Sequence, residues 1–319
     1  MRGVQRNGAQ IREVASRLSF SAVSTLGAFA HDGAFWRKLA HAGARHGPAF
    51  WVRYSPSVFG AAFALALPRA RRQVRDTLRW VQGEQPPLRE SRAVLRTFTS
   101  YAHCLAEALA AGRRESEQAR LTVTGEDALA RVLASGRGAI VVTAHAGPWD
   151  AITRALGQRT LAEVVVVMQR ERDGAARDFH DGVREGGGVR VVHVGDDPLA
   201  GLGLLRHLAR GGIVALQLDR GAPSGRSLSV ELFERRFWLP EGPFRLAQLS
   251  GAAIVPVFAR RIGFFDYEVR VRPALELPRS ADATARAAAA QATAAELEAF
   301  LSEDPTQWFR FDGSEAQMP

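Results

Sequence analysis

Three shortages narrow the field before any motif is read: cysteine, lysine and long hydrophobic runs. Cys104 is the only cysteine in 319 residues, which excludes an intramolecular disulfide framework and fits a reducing compartment. It lies in an apolar helical pattern with only His103 beside it, a poor setting for a covalent nucleophile. No G-x-S-x-G elbow offers a serine instead. No stretch reaches the roughly 18 to 20 consecutive apolar residues of a membrane-spanning helix. The best candidate, Val58 to Leu67, would cover about 15 Å as a helix, half a hydrocarbon core, so it can embed but hardly cross. The apolar stretch from Phe20 to Phe29 is broken by serines and lacks a convincing signal-peptide cleavage site. Gly186-Gly187-Gly188 and Gly201-Leu202-Gly203 miss the dinucleotide and phosphate-loop spacings, so neither NAD nor ATP is indicated, and no metal site or other cofactor is expected.

Lysine is scarcer still for a basic protein, since Lys38 is the only one among 42 lysines and arginines. The net charge of +9 and a sequence pI near 11.0 predict attraction to anionic surfaces, and arginine's planar fork suits phosphate. Nucleic acid is one such surface, but recognition-helix motifs and aromatic stacking blocks are missing. A membrane is another. Arg72, Arg75 and Arg79 share one helical stripe and Val74, Leu78 and Val81 another, directly after the short apolar segment. That arrangement fits an interfacial anchor on an anionic leaflet and, equally, a surface helix whose apolar stripe packs on a core.

The organisation changes near residue 115. Residues 1–115 read as a helical, membrane-associating region, with periodic runs around 34–46, 70–82 and 88–111 and a turn cluster from Gly83 to Pro87. Residues 116–319 read as an α/β catalytic domain. Strands are expected near 139–144, 163–168, 189–194, 213–218, 253–259 and 267–271, with helices between them and a long alanine-rich helix from 281 to 301. The fold class is therefore α/β, with a mixed, largely parallel sheet flanked by helices.

The strand ending Val141-Val142-Thr143-Ala144 runs straight into His145, and Asp150 follows five positions later, beyond Ala146-Gly147-Pro148-Trp149. A histidine at the carboxyl end of a strand is exposed at the sheet rim, and Asp150, in the first turn of the next helix, is placed to accept its other ring N–H. Such a pair takes a proton from a hydroxyl or amine attacking an activated acyl carbon. Without a nucleophilic serine or cysteine, transfer would be direct. Three further blocks follow in order. Arg170 comes after the strand Val164–Val167. Asp219 follows Leu216-Gln217-Leu218, and Leu239-Pro240-Glu241-Gly242-Pro243-Phe244-Arg245 precedes the strand Ala253–Phe258. Taken singly, Arg170 reads also as a surface ion-pair partner of Glu171 or Asp173, Asp219 as a turn cap, and Glu241 as a solvated carboxylate. If the strands before His145 and Asp219 are parallel, both residues lie at one sheet edge, and the helix after Gly242 points amide N–H groups at an anion there.

The order of these blocks resembles the glycerolipid acyltransferase superfamily, and within it the bacterial lipid A late acyltransferases, from about Pro68 to Gln307-Trp308-Phe309. The resemblance implies a glycerol-3-phosphate acyltransferase-like fold. It implies His145 and Asp150 as the catalytic pair, with Arg170, Asp219, Glu241, Gly242 and Arg245 binding a phosphorylated acceptor and shaping the site. The donor would be an acyl thioester on acyl carrier protein or coenzyme A, the acceptor an anionic membrane lipid such as a lipid A precursor. The location would be the cytoplasmic face of a bacterial inner membrane, peripheral or partly embedded. A lysophosphatidate-type phospholipid or ornithine-lipid acyltransferase, and a non-catalytic lipid-binding protein, remain alternatives. Where relatives of the lipid A branch often carry a second acidic residue after Asp219 and use glutamate in place of Asp150, this chain has Gly221 and aspartate. Those departures leave the acceptor less defined than the reaction class.

Overall fold

A computed structural model describes residues 43–44, 46–111, 119–169, 189–194, 200–220 and 226–311. Among the described residues the first named elements are the helices α1 (Ala49–Ala66), α2 (Pro68–Gln82) and α3 (Pro87–Ala110). Helix α1 buries Val52, Pro56, Gly60 and Ala64, one residue per turn on a single stripe that faces α3. The stripe is thin because backbones approach closely: a Cβ on Gly60 would lie 2.7 Å from the Thr99 Cα. The large residues of α1, among them Phe50, Tyr54, Val58, Phe59 and Leu65, are instead exposed.

Helix α2 starts on Pro68, whose fixed φ suits a first turn. Its buried residues are Val74, Thr77 and Leu78, and Trp80 and Val81 pack on the main core. Arg75 and Arg79 both pair with Glu90 of α3, at 2.7 and 2.6 Å. Of the two sequence readings of this helix, the structure therefore favours the one that packs its apolar stripe on the protein, with part of the basic stripe neutralised. The outward apolar face belongs to α1. No helix among the described residues is long and apolar enough to cross a membrane.

The chain then builds β1 (Arg120–Thr124), α4 (Glu126–Ala134), β2 (Ala139–Thr143), α5 (Trp149–Arg159), β3 (Val164–Gln169), β4 (Arg190–Val194), α6 (Ala200–Ala209) and β5 (Ile213–Gln217). After these come the hairpin β6 (Ser227–Leu232) and β7 (Arg235–Pro240), then α7 (Gly242–Ser250), β8 (Ala253–Gly263), β9 (Asp266–Val271) and α8 (Ala283–Glu303). Seven strands form one sheet in the order β1-β9-β8-β2-β5-β3-β4, while β6 and β7 pair separately. Strands β8, β2, β5, β3 and β4 run parallel to one another. Strand β9 runs antiparallel to β8, and β1 lies parallel to β9.

Strand β2 is central and buried along its whole length, as a strand covered on both faces must be. Ile140 and Val142 enter one apolar cluster with Trp308, Phe244 and Leu301. Ala139 and Val141 enter the other with Ile152 and Leu156. Parallel order brings the carboxyl ends of β2, β5, β3, β4 and β8 to the same edge, where open α/β sheets place their ligands. Buried Glu107 of α3 accepts from Arg261 Nε (2.8 Å) and from the Tyr267 hydroxyl (2.7 Å), which ties the helical layer to β8 and β9 at that edge.

Candidate active site

Strand register decides which polar residues meet. Thr143 at the end of β2 is the pairing partner of Gln217 at the end of β5, so the residues two positions further on, His145 and Asp219, emerge side by side. The His145 Nδ1–H donates to Asp219 Oδ1 at 2.8 Å. The His145 backbone N–H donates to the same oxygen at 2.9 Å, and the Trp308 Nε1–H donates to Asp219 Oδ2 at 2.9 Å. One carboxylate thus takes at least these three N–H donors, and Asp219 is 0% exposed while the His145 side chain is 21% exposed. Burial works to raise the Asp219 pKa, but the His145 charge, the ring hydrogen bond, the Trp308 indole and the His145 backbone N–H outweigh it. Together they hold the acid well below the usual carboxylate range.

The histidine loop is held from two sides. Gly147 N–H donates to Gln307 O (2.9 Å) and Phe309 N–H to His145 O (2.8 Å), forming an antiparallel bridge between Ala146 and Trp308. Gln307 also clamps β8, accepting from Arg261 N–H at 2.8 Å and donating to Arg261 O at 2.9 Å. On the other side Gly147 meets β8. It adopts φ +54°, and a Cβ there would lie 2.1 Å from Ala259 O, so this position requires glycine.

These contacts redistribute the roles expected from the sequence. Asp150 lies in the first turn of α5, where its carbonyl accepts from Thr153 Oγ1 at 2.9 Å, but the carboxylate on His145 Nδ1 is Asp219. Parallel pairing across β2 and β5 placed it there, a long-range contact with no trace in local spacing. Asp219, expected to touch substrate, is sealed behind the histidine instead. Glu241 is buried and accepts from Arg245 Nε at 3.0 Å and Arg286 Nε at 3.2 Å. It therefore joins α7 to α8, and Arg245, expected at the substrate, is its ion-pair partner on the next turn. Gly242 opens α7 with clear space beside its Cα. Arg170 lies outside the described residues. No local pattern marks Trp308 for this role, since nothing nearby in sequence links a tryptophan to a carboxylate 89 positions away.

Cys104 is buried, and burial pushes its thiol pKa up, away from reactivity. Among the described residues no cluster of three or more His, Cys, Asp or Glu is set to hold a metal ion. Beneath the His145–Asp219 pair, the Thr143 hydroxyl and the Gln217 amide nitrogen are buried without a hydrogen-bond partner. At the same end of β8 opens a cleft of about 620 Å³ lined by Arg89, Arg92, Arg96, Arg260 and Arg261 and by Asp304 and Glu303, which pair with Arg96 and Arg260. An imidazole fixed at Nδ1 by an anionic carboxylate leaves Nε2 to accept a proton, which is the arrangement of a general base.

Comparison with known proteins bears on what that base would serve. The profile of the bacterial lipid A biosynthesis acyltransferase family matches residues 35–312. The chain is also similar to phosphatidylinositol mannoside acyltransferase from two strains of Mycobacterium tuberculosis, CDC 1551 / Oshkosh and ATCC 25618 / H37Rv. Both are 29% identical over 202 residues, covering 61% of this chain. The chain spans 60% of the length of these curated relatives.

Proposed function

Because the chain belongs to the bacterial lipid A biosynthesis acyltransferase family, we propose that it moves a fatty acyl chain from a thioester to a hydroxyl of a membrane lipid, with His145 as the general base. The observation that carries this reading is the fixed imidazole, with Nδ1–H on buried Asp219 and the ring partly exposed at the sheet rim. Nε2 takes the hydroxyl proton as its oxygen attacks the thioester carbonyl. The new C–O bond forms, the tetrahedral intermediate collapses with loss of the C–S bond, and the imidazolium returns its proton to the leaving thiolate. Asp219 stabilises the transient imidazolium and keeps the reactive tautomer. No enzyme thiol takes part, in keeping with the inert setting of Cys104.

The acceptor in this reading is a phosphorylated or glycosylated lipid. A lipid A precursor fits the family, and a mannosylated phosphatidylinositol fits the mycobacterial relatives. A phospholipid or ornithine lipid is the next candidate. Acyl carrier protein and coenzyme A are both candidate donors, and the arginine-lined cleft suits the phosphate that either brings. Arg170, just past β3, is assigned to the acceptor's anionic group, and Asp150 to the wall of the site beside the histidine. The exposed apolar face of α1, next to the arginines of α2, supports peripheral docking on an anionic leaflet.

Purified enzyme supplied with an acyl thioester and a panel of these lipids tests the base. Changing His145→Ala should reduce turnover by about 10²- to 10⁴-fold while the protein melts as a folded unit. Full activity in this variant would refute the assignment. Lipid profiles of cells lacking the protein identify the acceptor by the chain that disappears.

A further inference from the structure

The carboxylate that orients His145 is itself oriented by a residue far along the chain. Asp219 has two oxygens with different duties. Oδ1 receives both N–H groups of His145, and Oδ2 receives the Trp308 indole N–H. A buried carboxylate held through one oxygen can still rotate about its Cβ–Cγ bond, carrying Oδ1 away from the imidazole. A donor on the second oxygen removes that freedom.

The indole is well fixed for this work. Trp308 is 1% exposed, and its ring packs against Trp80 at 5.6 Å and Phe237 at 6.2 Å. The Arg310 guanidinium lies 5.0 Å from its centroid. A cation over an indole face draws electron density from the ring, which makes the N–H a stronger donor. The Trp308 backbone sits in the bridge to Ala146, so its main chain holds the histidine loop while its side chain holds the carboxylate.

From this geometry we infer that Trp308 is a positioning residue for acyl transfer, setting through Asp219 the orientation and tautomer of His145. The inference rests on the general-base reading above. It predicts a kinetic signature that simple packing would not give. A loss of orientation slows the chemical step and leaves acceptor and donor binding in place, so kcat falls while both KM values hold.

The test uses the full-length enzyme with two replacements that remove the N–H. Trp308→Phe keeps an aromatic ring, and substitution of the indole by its benzothienyl isostere keeps the shape, with sulfur in place of N–H. Each should lower kcat about 10- to 100-fold, the effect of one hydrogen bond to a charged group, with KM within about two-fold of the parent. The ¹⁵N resonances of the His145 ring should shift toward a tautomer mixture. If Trp308→Phe fails to fold, the isostere still decides. Unchanged kcat and unchanged ring resonances with the isostere would overturn the inference while leaving His145 as the base. Activity surviving in His145→Ala would instead overturn the reading beneath it.

Discussion

Replacing Asp219 by asparagine changes one atom and sets three N–H donors against an amide. The side chain can present its oxygen to His145, in which case its NH₂ faces the Trp308 N–H across the present 2.9 Å. Or it can flip, presenting oxygen to the indole and NH₂ to the His145 backbone N–H and the ring. The first arrangement strands one buried donor pair, at a cost of about 1 to 3 kcal/mol. The second strands a backbone N–H and drives the ring to the tautomer with Nε2 protonated, which cannot act as a base. In either case the imidazolium loses its counter-charge. Single-turnover acyl transfer by Asp219→Asn should therefore fall about 10³- to 10⁴-fold, and Tm by about 2 to 5 °C, at roughly 1.5 °C per kcal/mol for a chain of this size.

The pH dependence of stability follows from the same group. Because the native state holds the Asp219 pKa below its unfolded value, it adds stability above about pH 4. That stability drains away as pH falls toward the depressed native pKa, so Asp219→Asn should show a shallower decline of Tm in acid. Asp150→Asn serves as the control. Retention of turnover within about ten-fold in Asp219→Asn, or a tautomer change in Asp150→Asn and none in Asp219→Asn, would refute the reasoning.

Other consequences are measurable. Gly147→Ala should lower both Tm and kcat, since its Cβ would collide with the Ala259 carbonyl and push the histidine loop off β8. A clash of this kind costs about 1 to 3 kcal/mol or more, and an unchanged melting curve would contradict the close approach. Arg89→Ala combined with Arg92→Ala should raise the donor KM several-fold with little change in kcat, if the cleft they line receives the donor's phosphate. A kcat effect alone would remove that role.

The sequence discloses the frame of this protein better than its contacts. Buried parallel strands are continuous runs of valine, isoleucine and alanine, so β2, β3, β5 and β8 are visible at once. The β6–β7 hairpin is not, because its turn uses Phe233 and Glu234 at positive φ (49° and 58°) in place of the glycine or asparagine that marks such turns. Strand β1 escapes notice because Arg120-Leu121-Thr122-Val123-Thr124 is short and half polar. In the site, the position of His145 at a strand end is readable from local pattern. Its partner is not, because five-residue spacing makes Asp150 the natural candidate, whereas Asp219 arrives through strand pairing across 74 positions. The Pro-Glu-Gly block was visible as a helix start. Its glutamate turns inward because Arg286, 45 positions later on α8, neutralises it.

The bridge between the histidine loop and residues 307–309 also sets an order of events during synthesis. The chain leaves the ribosome amino end first, so every strand of the sheet has been made before the segment that locks the loop in place. A nascent chain ending short of Trp308 would carry the imidazole and its acid without the brace that aligns them. Competence for chemistry would then wait until residues 307–309 had emerged, after the whole sheet.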